Sequence, residues 1–324
     1  MPLAEKSLIA EIRLLAARRT RLAKSVVRLG IGDDCAVLDI GSGQECLVTT
    51  DFSLEDVHFR REWHPPDSVG HRCLTRGLSD IAAMGGTPIA AFLSLALPGD
   101  LAQSWVRNFV RGLTRLAEKF DVALAGGDTA QSPNKILADI IVVGRVPKGK
   151  AILRSGARPG DRIYVTGALG GSAAAVMQMQ KTNGQKLKQA SYPRHFYPDP
   201  QVNVGLVLRR KNLATAMIDT SDGLSTDLAH ICEESGVGAD LSAANIPRAR
   251  VGTPAGEVDL NLALHGGEDY ELLFMARANK KIPPKIAGVP ITEIGQIVRR
   301  TGMRISGADG KVRSLKPQGW EHFK

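Results

Sequence analysis

Cysteine is scarce in this chain of 324 residues, with four present at positions 35, 46, 73 and 232 and no Cys-x-x-Cys pair among them. Four cysteines are too few to form a disulfide framework in a chain of this length. The seven histidines are dispersed, so no histidine–cysteine cluster has the spacing of a zinc site. We therefore expect reduced thiols and a cytoplasmic protein.

Long apolar runs are also lacking. Residues 1–20 mix glutamate and arginine with apolar residues and lack the continuous apolar core of a signal peptide. Residues 81–98 carry no charge, but Gly85-Gly86-Thr87-Pro88 interrupts them, whereas a membrane span needs about 20 unbroken apolar residues. This stretch predicts a buried helix, a turn and a buried strand, and we expect no membrane partner.

Aromatic residues make up only 5% of the chain, although its formal net charge is +9. A basic chain can bind nucleic acid, but here the positive residues are scattered and few aromatic side chains could stack on bases between them. A basic nucleic-acid-binding protein stays as an alternative, which steep salt dependence of DNA or RNA binding would support. Excess positive charge also attracts anionic small molecules, and we expect no nucleic-acid partner.

The common phosphate-binding and nucleophile motifs are absent from the sequence. No Gly-x-x-x-x-Gly-Lys-[Ser/Thr] loop occurs, and Ser221 is not embedded in Gly-x-Ser-x-Gly, which argues against a P-loop enzyme and an α/β-hydrolase. A glycine-rich turn at residues 166–172 could hold an anion on exposed amides, or could be only a tight turn into a helix. Arg154 could contact a phosphate or could be a solvated arginine.

Helix-like and strand-like stretches alternate along the chain without a detectable repeat. The predicted helices cover residues 7–22, 68–84, 101–120 and 223–235, with another beginning at residue 172. The predicted strands cover residues 36–40, 46–50, 88–97, 122–125, 135–146, 162–166, 214–218 and 272–276. Because each half mixes strands and helices, the sequence predicts an α/β (α+β) protein. Turn-forming residues between 147 and 161 predict a domain boundary, with an N-terminal domain over residues 1–148 and a C-terminal domain over residues 149–324.

Aspartates repeatedly follow predicted strands. Asp51 follows residues 47–50, Asp128 follows residues 124–127, and Asp219 follows residues 216–218. Further acidic residues beside segments that should be buried are Asp33, Asp34, Asp80 and Asp222. Each could be a helix cap or a turn residue, but carboxylates repeated at the edge of a core are costly unless a cation neutralises them. Oxygen ligands of this kind suit Mg²⁺ rather than Zn²⁺.

A compact polar segment, HGGEDYE at residues 265–271, lies between an apolar run and a predicted strand. Its two glycines imply tight backbone geometry. A plain turn accounts for Gly266 and Gly267 but leaves Glu268, Asp269 and Tyr270 unexplained. These side chains could bind a cationic or hydrogen-bonding group of a substrate.

Short motifs between residues 30 and 320 stand in the order typical of one enzyme family. They are GIGDDCAVL at 30–38, TTD at 49–51 with HF at 58–59, LSDIAAMG at 78–85, GGDT at 126–129, RSGARPGD at 154–161, IDTSDGL at 218–224, GGEDYEL at 266–272 and GW at 319–320. On these motifs the chain resembles the thiamine-monophosphate kinase family of the aminoimidazole-ribonucleotide-synthetase-like superfamily. The resemblance implies a two-domain synthetase-like fold in which the N-terminal sheet pairs across a homodimer into a β-barrel, followed by a C-terminal α/β domain.

The resemblance also implies a reaction, namely the ATP-dependent phosphorylation of thiamine monophosphate to thiamine diphosphate with Mg²⁺ required. In-line phosphoryl transfer would depend on Asp128, Asp219 and Asp222 as catalytic residues. The residues implied as Mg²⁺ ligands are Asp34, Thr49, Thr50, Asp51, Asp80, Asp128, Asp219 and Asp222. Those implied in ATP binding are Gly127, Asp128, Arg154 and Ser221, and those implied in holding the thiamine end are His58, Glu268 and Trp320.

The chain departs from the family pattern at three places. Asp56 stands where the family commonly has glycine, Arg76-Gly77 where it often has an apolar residue and asparagine, and Ala130-Gln131 where Thr-Arg is frequent. Within the superfamily, an ATP-dependent cyclo-ligase, a selenide-activating enzyme and a hydrogenase-maturation dehydratase are rival interpretations. The sequence lacks the reactive Cys-Lys start of the second and the C-terminal cysteine tail of the third.

Overall fold

The described residues include two large β-sheets that meet at one helix, α1 (Pro66–Ala83). The structure, a computed structural model, describes residues 27–29, 33–182, 187–307 and 309–322. The predicted helix over residues 7–22 lies outside the described residues. The alternation of strands and helices in two parts confirms the predicted mixed α/β fold class.

The first sheet has six strands within the described residues, in the order β1-β2-β3-β6-β4-β5. Only β4 and β5 pair in parallel, and every other neighbouring pair is antiparallel. The strands are β1 (Val27–Leu29), β2 (Ala36–Asp39), β3 (Gln44–Leu54), β4 (Thr87–Pro98), β5 (Ala123–Ser132) and β6 (Leu137–Pro147). Alternate residues of β3 and β6 are buried, so one face of this sheet packs on the core and the other stays open.

Helix α1 covers the buried face of the first sheet together with α2 (Gln103–Lys119). The two helices cross closely because glycines stand at the crossing. A Cβ on Gly70 would lie 1.9 Å from the Phe109 carbonyl oxygen, and one on Gly112 would lie 1.9 Å from the Asp67 carbonyl oxygen. No larger residue fits at either position without moving a helix backbone, so these glycines fix how α1 lies on the sheet.

The second sheet has the order β16-β15-β9-β14-β7-β12-β8, with β13 pairing with β14. Its strands are β7 (Arg162–Thr166), β8 (Ala216–Asp219), β9 (Gly238–Ser242), β12 (Leu272–Ala276), β13 (Lys285–Ile286), β14 (Val289–Val298), β15 (Gly302–Ser306) and β16 (Val312–Leu315). Two further short strands, β10 (Arg250–Val251) and β11 (Gly256–Glu257), pair with each other.

Strand β12 is buried on both faces, which explains why it is apolar at every position. Leu272 and Phe274 pack into the same core as α1, whereas Leu273 and Met275 pack into a second core on the other face of the sheet. Helices complete this half, and none of the described helices has the length and apolarity to cross a membrane. They are α3 (Gly171–Lys181), α4 (Pro193–Phe196), α5 (Val202–Arg210), α6 (Leu224–Ser235) and α7 (Leu260–His265).

Two strands are longer than predicted, which changes where two aspartates lie. β3 continues through Asp51 to Leu54, and β5 continues through Asp128 to Ser132. The prediction that these aspartates follow the ends of strands is therefore wrong. β3 continues because it pairs with β6 along its whole length, so the backbone groups around Asp51 have hydrogen-bond partners in the sheet. Asp219, by contrast, does stand at the end of β8.

Candidate active site

Three carboxylates converge beside α1, and we call Asp34, Asp80 and Asp219 the acidic triad. Asp34 lies just before β2, Asp80 lies in the last turn of α1, and Asp219 ends β8. One oxygen of each carboxylate lies within 4.8 Å of the other two. The Ser79 hydroxyl donates a 2.6 Å hydrogen bond to Asp219, which joins the end of α1 to the end of β8. Residues far apart in the sequence thus offer three oxygen ligands at one place.

Two members of the acidic triad, Asp80 and Asp219, have raised pKa values. Burial, and then the negative charge of Asp34, raises the pKa of Asp219 to about 8. Burial, and then the charge of Asp219, raises the pKa of Asp80 well above its ordinary value. Without added positive charge Asp80 and Asp219 therefore retain protons near neutral pH. A divalent cation would replace the protons, and the all-oxygen donor set fits Mg²⁺.

Neighbouring groups orient the acidic triad. Arg154 forms a fork on Asp34, with Nη2 2.8 Å from Oδ1 and Nε 3.3 Å from Oδ2. The Thr49 hydroxyl donates to the Asp80 carboxylate. The Arg154 backbone N–H donates to Asp33 at 3.0 Å, and burial together with the charge of Asp34 raises the pKa of Asp33 to about 7. Arg154 and Thr49 thus lie at the triad, along with Asp33, which is one of the repeated aspartates but is absent from the ligands that the family resemblance implies.

The segment at residues 265–271 pairs with the loop that follows β8. The Glu268 N–H donates to the Ser221 carbonyl at 2.7 Å. The Tyr270 N–H donates to the Thr220 carbonyl at 3.0 Å. Glu268 and Tyr270 both have left-handed backbone angles, with φ of 63° and 52°. Such angles cost about 1–3 kcal/mol each in residues other than glycine, and these hydrogen bonds help to hold them. The pairing places Ser221 and its neighbour Asp222 next to Glu268.

Aromatic rings lie in a row beside Glu268. The rings of His58 and His322 meet edge to face at 5.5 Å, and those of His322 and Trp320 meet at 5.6 Å. The backbone N–H of Trp320 donates to the Asp222 carbonyl at 3.1 Å, which holds residues near 320 against the loop after β8. The structure thus brings together His58, Glu268 and Trp320, the three residues predicted at the thiamine end. His322, which belongs to none of the sequence motifs, lies between His58 and Trp320.

Two arginines of α1, Arg72 and Arg76, hold Glu268, and we call them the arginine pair. Arg72 Nη2 lies 2.5 Å from Glu268 Oε2, and Arg76 Nη2 lies 2.6 Å from Glu268 Oε1. Arg72 Nη2 also donates to the His58 carbonyl at 3.2 Å. Burial alone would raise the pKa of Glu268, but the arginine pair outweighs it and lowers that pKa below its ordinary value. Glu268 is therefore a carboxylate at neutral pH.

Gly127, Asp128 and Thr50 do not join the acidic triad within one chain. The cross-strand register runs from Asp51 through Ile140 and Leu93 to Gly127. Three strand spacings of about 4.8 Å put Gly127 about 14 Å from Asp51. The Thr50 hydroxyl donates to Asp139 at 2.8 Å on the face of the sheet opposite Thr49 and Asp51.

The backbone amides of the glycine-rich turn at residues 166–172 already bind a carboxyl group of the chain itself. The Asp269 carboxylate accepts hydrogen bonds from the N–H of Gly170 at 2.6 Å and from the N–H of Ser172 at 3.2 Å. The amides at the start of α3 are therefore occupied by a buried side chain, and the interpretation of this turn as a phosphate site is wrong. Its glycines serve the alternative, a tight turn, since Gly167 has a φ of +58° and Gly170 a φ of +84°.

Comparison with known protein families matches both halves of the chain. Residues 32–146 match the N-terminal domain of the AIR synthase related proteins, and residues 158–306 match their C-terminal domain. Among curated proteins, the thiamine-monophosphate kinase of Escherichia coli O157:H7 is 39% identical over 316 residues, which cover 94% of this chain and 95% of that protein.

Solved structures give the same relationship. The structure of AaThiL complexed with AMPPCP and TMP has a TM-score of 0.84 and 31% sequence identity, covering 100% of this chain and 99% of that one. The thiamine-monophosphate kinase of Stenotrophomonas maltophilia K279a has a TM-score of 0.74 and 35% identity, covering 96% of this chain and 98% of that one.

Proposed function

The chain belongs to the thiamine-monophosphate kinase family of the AIR synthase related proteins, and from this we propose that the acidic triad and the groups around it form its active site. The protein is a kinase that phosphorylates thiamine monophosphate with ATP, giving thiamine diphosphate and ADP. The convergence of Asp34, Asp80 and Asp219 within 4.8 Å is the observation that carries the proposed placement of the site.

We propose that the acidic triad holds Mg²⁺, with Asp222 nearby on the loop after β8. Asp34, Asp80 and Asp219 would hold the Mg²⁺, which would supply positive charge against the negative charge that develops during phosphoryl transfer. Thr49 and Ser79 keep Asp80 and Asp219 oriented through their hydroxyl hydrogen bonds. Asp51 lies on the same face of β3 as Thr49, beside this group.

The proposed mechanism needs no general base. A phosphate oxygen of thiamine monophosphate is already ionised near neutral pH, so it can attack without losing a proton to the protein. The main obstacle is that two polyanions must approach each other in line. Arg154 stands beside the triad as a fixed cation, and we assign it and Ser221 to the ATP phosphates.

We assign the thiamine end of the substrate to His58, Glu268 and Trp320. Burial, and then the charge of Arg76, lowers the pKa of His58 to about 3, so its ring is neutral at pH 7 and does not repel a cation. His58 Nδ1 accepts the Leu54 N–H at 2.9 Å, which leaves the proton of the neutral ring on Nε2. Trp320 is 52% exposed and offers an open aromatic face, which suits the cationic thiazolium ring.

We further propose a homodimer built on the open face of the first sheet. Phe52, Phe92 and Leu124 expose 52%, 36% and 39% of their surface, and β5 is an exposed edge strand. A second copy that continued the sheet into a barrel would cover both the apolar face and the edge. Gly127 and Asp128 lie on that edge, so we place their contribution to ATP and metal binding at the dimer interface. A monomer by light scattering at micromolar concentration would contradict this arrangement.

The domain division and cellular location follow as further proposals. Residues 1–148 would form the metal-binding and dimerisation domain, and residues 149–324 the domain that completes the nucleotide and thiamine site. The second core consists only of residues after 149, which supports a C-terminal domain, whereas the first core joins both halves of the chain and includes Leu272 and Phe274. Free cysteines at all four positions are compatible with a reducing cytoplasm.

A coupled ADP-release assay tests the proposed function. With Mg²⁺ and ATP, we expect ADP release that depends on thiamine monophosphate, with thiamine diphosphate as the second product. Thiamine is the matched control acceptor, because it has the same rings but no phosphate nucleophile. ADP release with thiamine and none with thiamine monophosphate would contradict the function.

Trp320→Ala should separate the two substrates. We expect it to raise the KM for thiamine monophosphate about tenfold and to leave the KM for ATP within about twofold, because a cation–aromatic contact contributes about 1–2 kcal/mol when it is desolvated. Trp320→Phe keeps an aromatic face, so its KM for thiamine monophosphate should lie between those of the wild type and Trp320→Ala. A larger change in the KM for ATP would move Trp320 away from the thiamine end.

A further inference from the structure

Arg76 contacts two carboxylates that come from different sheets. It lies on α1 one turn before Asp80, and its side chain is only 11% exposed. Nη1 lies 3.3 Å from Asp51 Oδ1 on β3, and Nη2 lies 2.6 Å from Glu268 Oε1 in the segment before β12. The planar guanidinium can do this because its two terminal nitrogens point to different partners, which an ammonium group cannot imitate.

The charges around Arg76 divide the site into two parts. Arg72 and Arg76 face Glu268 and Asp51, so two cations of the chain balance two carboxylates. The acidic triad, in contrast, has one arginine on Asp34 and hydroxyl donors on its other two members. Asp51 is also outside the group whose oxygens lie within 4.8 Å of one another. By its contact with Arg76, Asp51 belongs with the arginine pair, although burial, opposed by the charge of Arg76, raises the pKa of Asp51.

Glu268 needs this support. Its backbone is left-handed, with φ of 63°, and its side chain is only 23% exposed. A carboxylate in such a position has to be paired, because an unpaired buried charge is costly. Arg72 holds one of its oxygens and Arg76 holds the other, so the direction of the carboxylate depends on both arginines.

We propose that Arg76 is a positioning residue for the acceptor substrate, a fixed cation that links Asp51 to Glu268 and so sets the position of Glu268 relative to the metal-binding side. The inference rests on the proposed function, in which Glu268 contacts the thiamine end. It gives a role to Arg76, one of the positions at which this chain departs from the family pattern.

Substitution of Arg76 in two backgrounds tests this role. Arg76→Met should raise the KM for thiamine monophosphate at least about tenfold, the range found when a residue that orients a ligand-binding group is lost, and should leave the KM for ATP within about twofold. In a Glu268→Gln background the same substitution should change that KM less than twofold, because Arg76 acts through Glu268. Arg76→Lys keeps the charge but not the fork, so it should recover only part of the affinity.

Arg162→Met is the matched control. Arg162 pairs with Glu293 at 3.4 Å on the surface and is 43% exposed, so its loss should leave both KM values unchanged. Equal effects of Arg76→Met in both backgrounds, a full recovery by Arg76→Lys, or a parallel rise in both KM values would overturn the inference.

Thermal unfolding of the same variants separates this inference from the proposed function. The Tm values of wild type, Arg76→Met, Glu268→Gln and the double variant should be non-additive, with the double variant no less stable than the worse single variant. Additive losses in Tm would exclude the link between Arg76 and Glu268. A wild type that releases no ADP with thiamine monophosphate but has non-additive Tm values would contradict the function and retain the link.

Discussion

Asp219→Asn is expected to reduce turnover at least about 100-fold while making the metal-free protein more stable near neutral pH. Loss of a group that only orients a metal ligand already costs about 10–100-fold, and Asp219 is proposed as a ligand itself. The metal-free protein should become more stable because the buried Asp219 carboxyl, with its pKa raised to about 8, has to bind a proton on folding near neutral pH, and asparagine does not. Asparagine is neutral, and its carbonyl can still accept the hydrogen bond from Ser79.

The measurement compares kcat and the urea midpoint of wild type and variant in EDTA. Asp309→Asn is the control, since Asp309 is an exposed carboxylate that pairs with Arg313 on the surface. We expect that control to change neither quantity appreciably. A near wild-type rate for Asp219→Asn would remove Asp219 from the metal site, and a large loss of stability would mean that its charge supports the fold.

Ligand-induced stabilisation gives the same variant a second readout. Mg²⁺ with a non-hydrolysable ATP analogue should raise the Tm of the wild type, because these ligands bind only the folded state. The shift should be largely lost in Asp219→Asn and retained in Asp309→Asn. Loss of turnover with an unchanged shift would indicate that Asp219 acts in the chemical step rather than in binding the metal.

Apolar strands were predictable from the sequence where burial on both faces makes them continuous. Residues 272–276 were predicted with the bounds of β12, which is buried at all five positions. Residues 162–166 were also predicted with the bounds of β7, where buried Ile163 and Val165 alternate with half-buried residues. β3 was predicted to end at residue 50, but it continues because pairing with β6 outweighs the polar character of Thr50 and Asp51. Short strands such as β15 were not predicted, since their pairing with β9 is parallel and joins segments about 60 residues apart in the sequence.

The site was predictable as a set of residue types but not as a set of contacts. Repeated aspartates pointed to a metal site, and the structure brings three of them together. No sequence pattern indicated the arginine pair, because Arg72 and Arg76 contact Glu268, about 190 residues later in the chain, only when that residue folds onto α1. In the same way, no local pattern indicated that Asp269 would occupy the amides of Gly170 and Ser172.

The stability of the metal-free protein is expected to fall as the pH rises from about 6.5 to about 8. Asp219 has an ordinary pKa of 3.8 and a folded pKa of about 8, so in this range the folded state holds a proton that the unfolded state has lost. Its stabilising contribution is therefore complete below about pH 4 and is lost as the pH passes through about 8. Asp33, with a folded pKa of about 7, acts in the same direction.

The pH range begins at about 6.5 because, below that value, buried histidines make the stability rise with pH, opposite to the effect of the carboxyls. The pKa of His64 is lowered to about 4 and that of His58 to about 3, in both cases first by burial, so between these values and 6.5 their contribution rises with pH. Above pH 6.5 these histidines are mostly neutral in both states, which leaves the carboxyls to set the slope of stability against pH.

One proton that the folded state holds and the unfolded state has lost changes the free energy of unfolding by about 1.4 kcal/mol per pH unit, which is measurable as a decrease in the urea midpoint in EDTA. Mg²⁺ at saturation should flatten the slope, because the cation takes the place of the proton. A metal-free midpoint that rises from pH 6.5 to 8 would mean that Asp219 and Asp33 are not protonated in the folded protein.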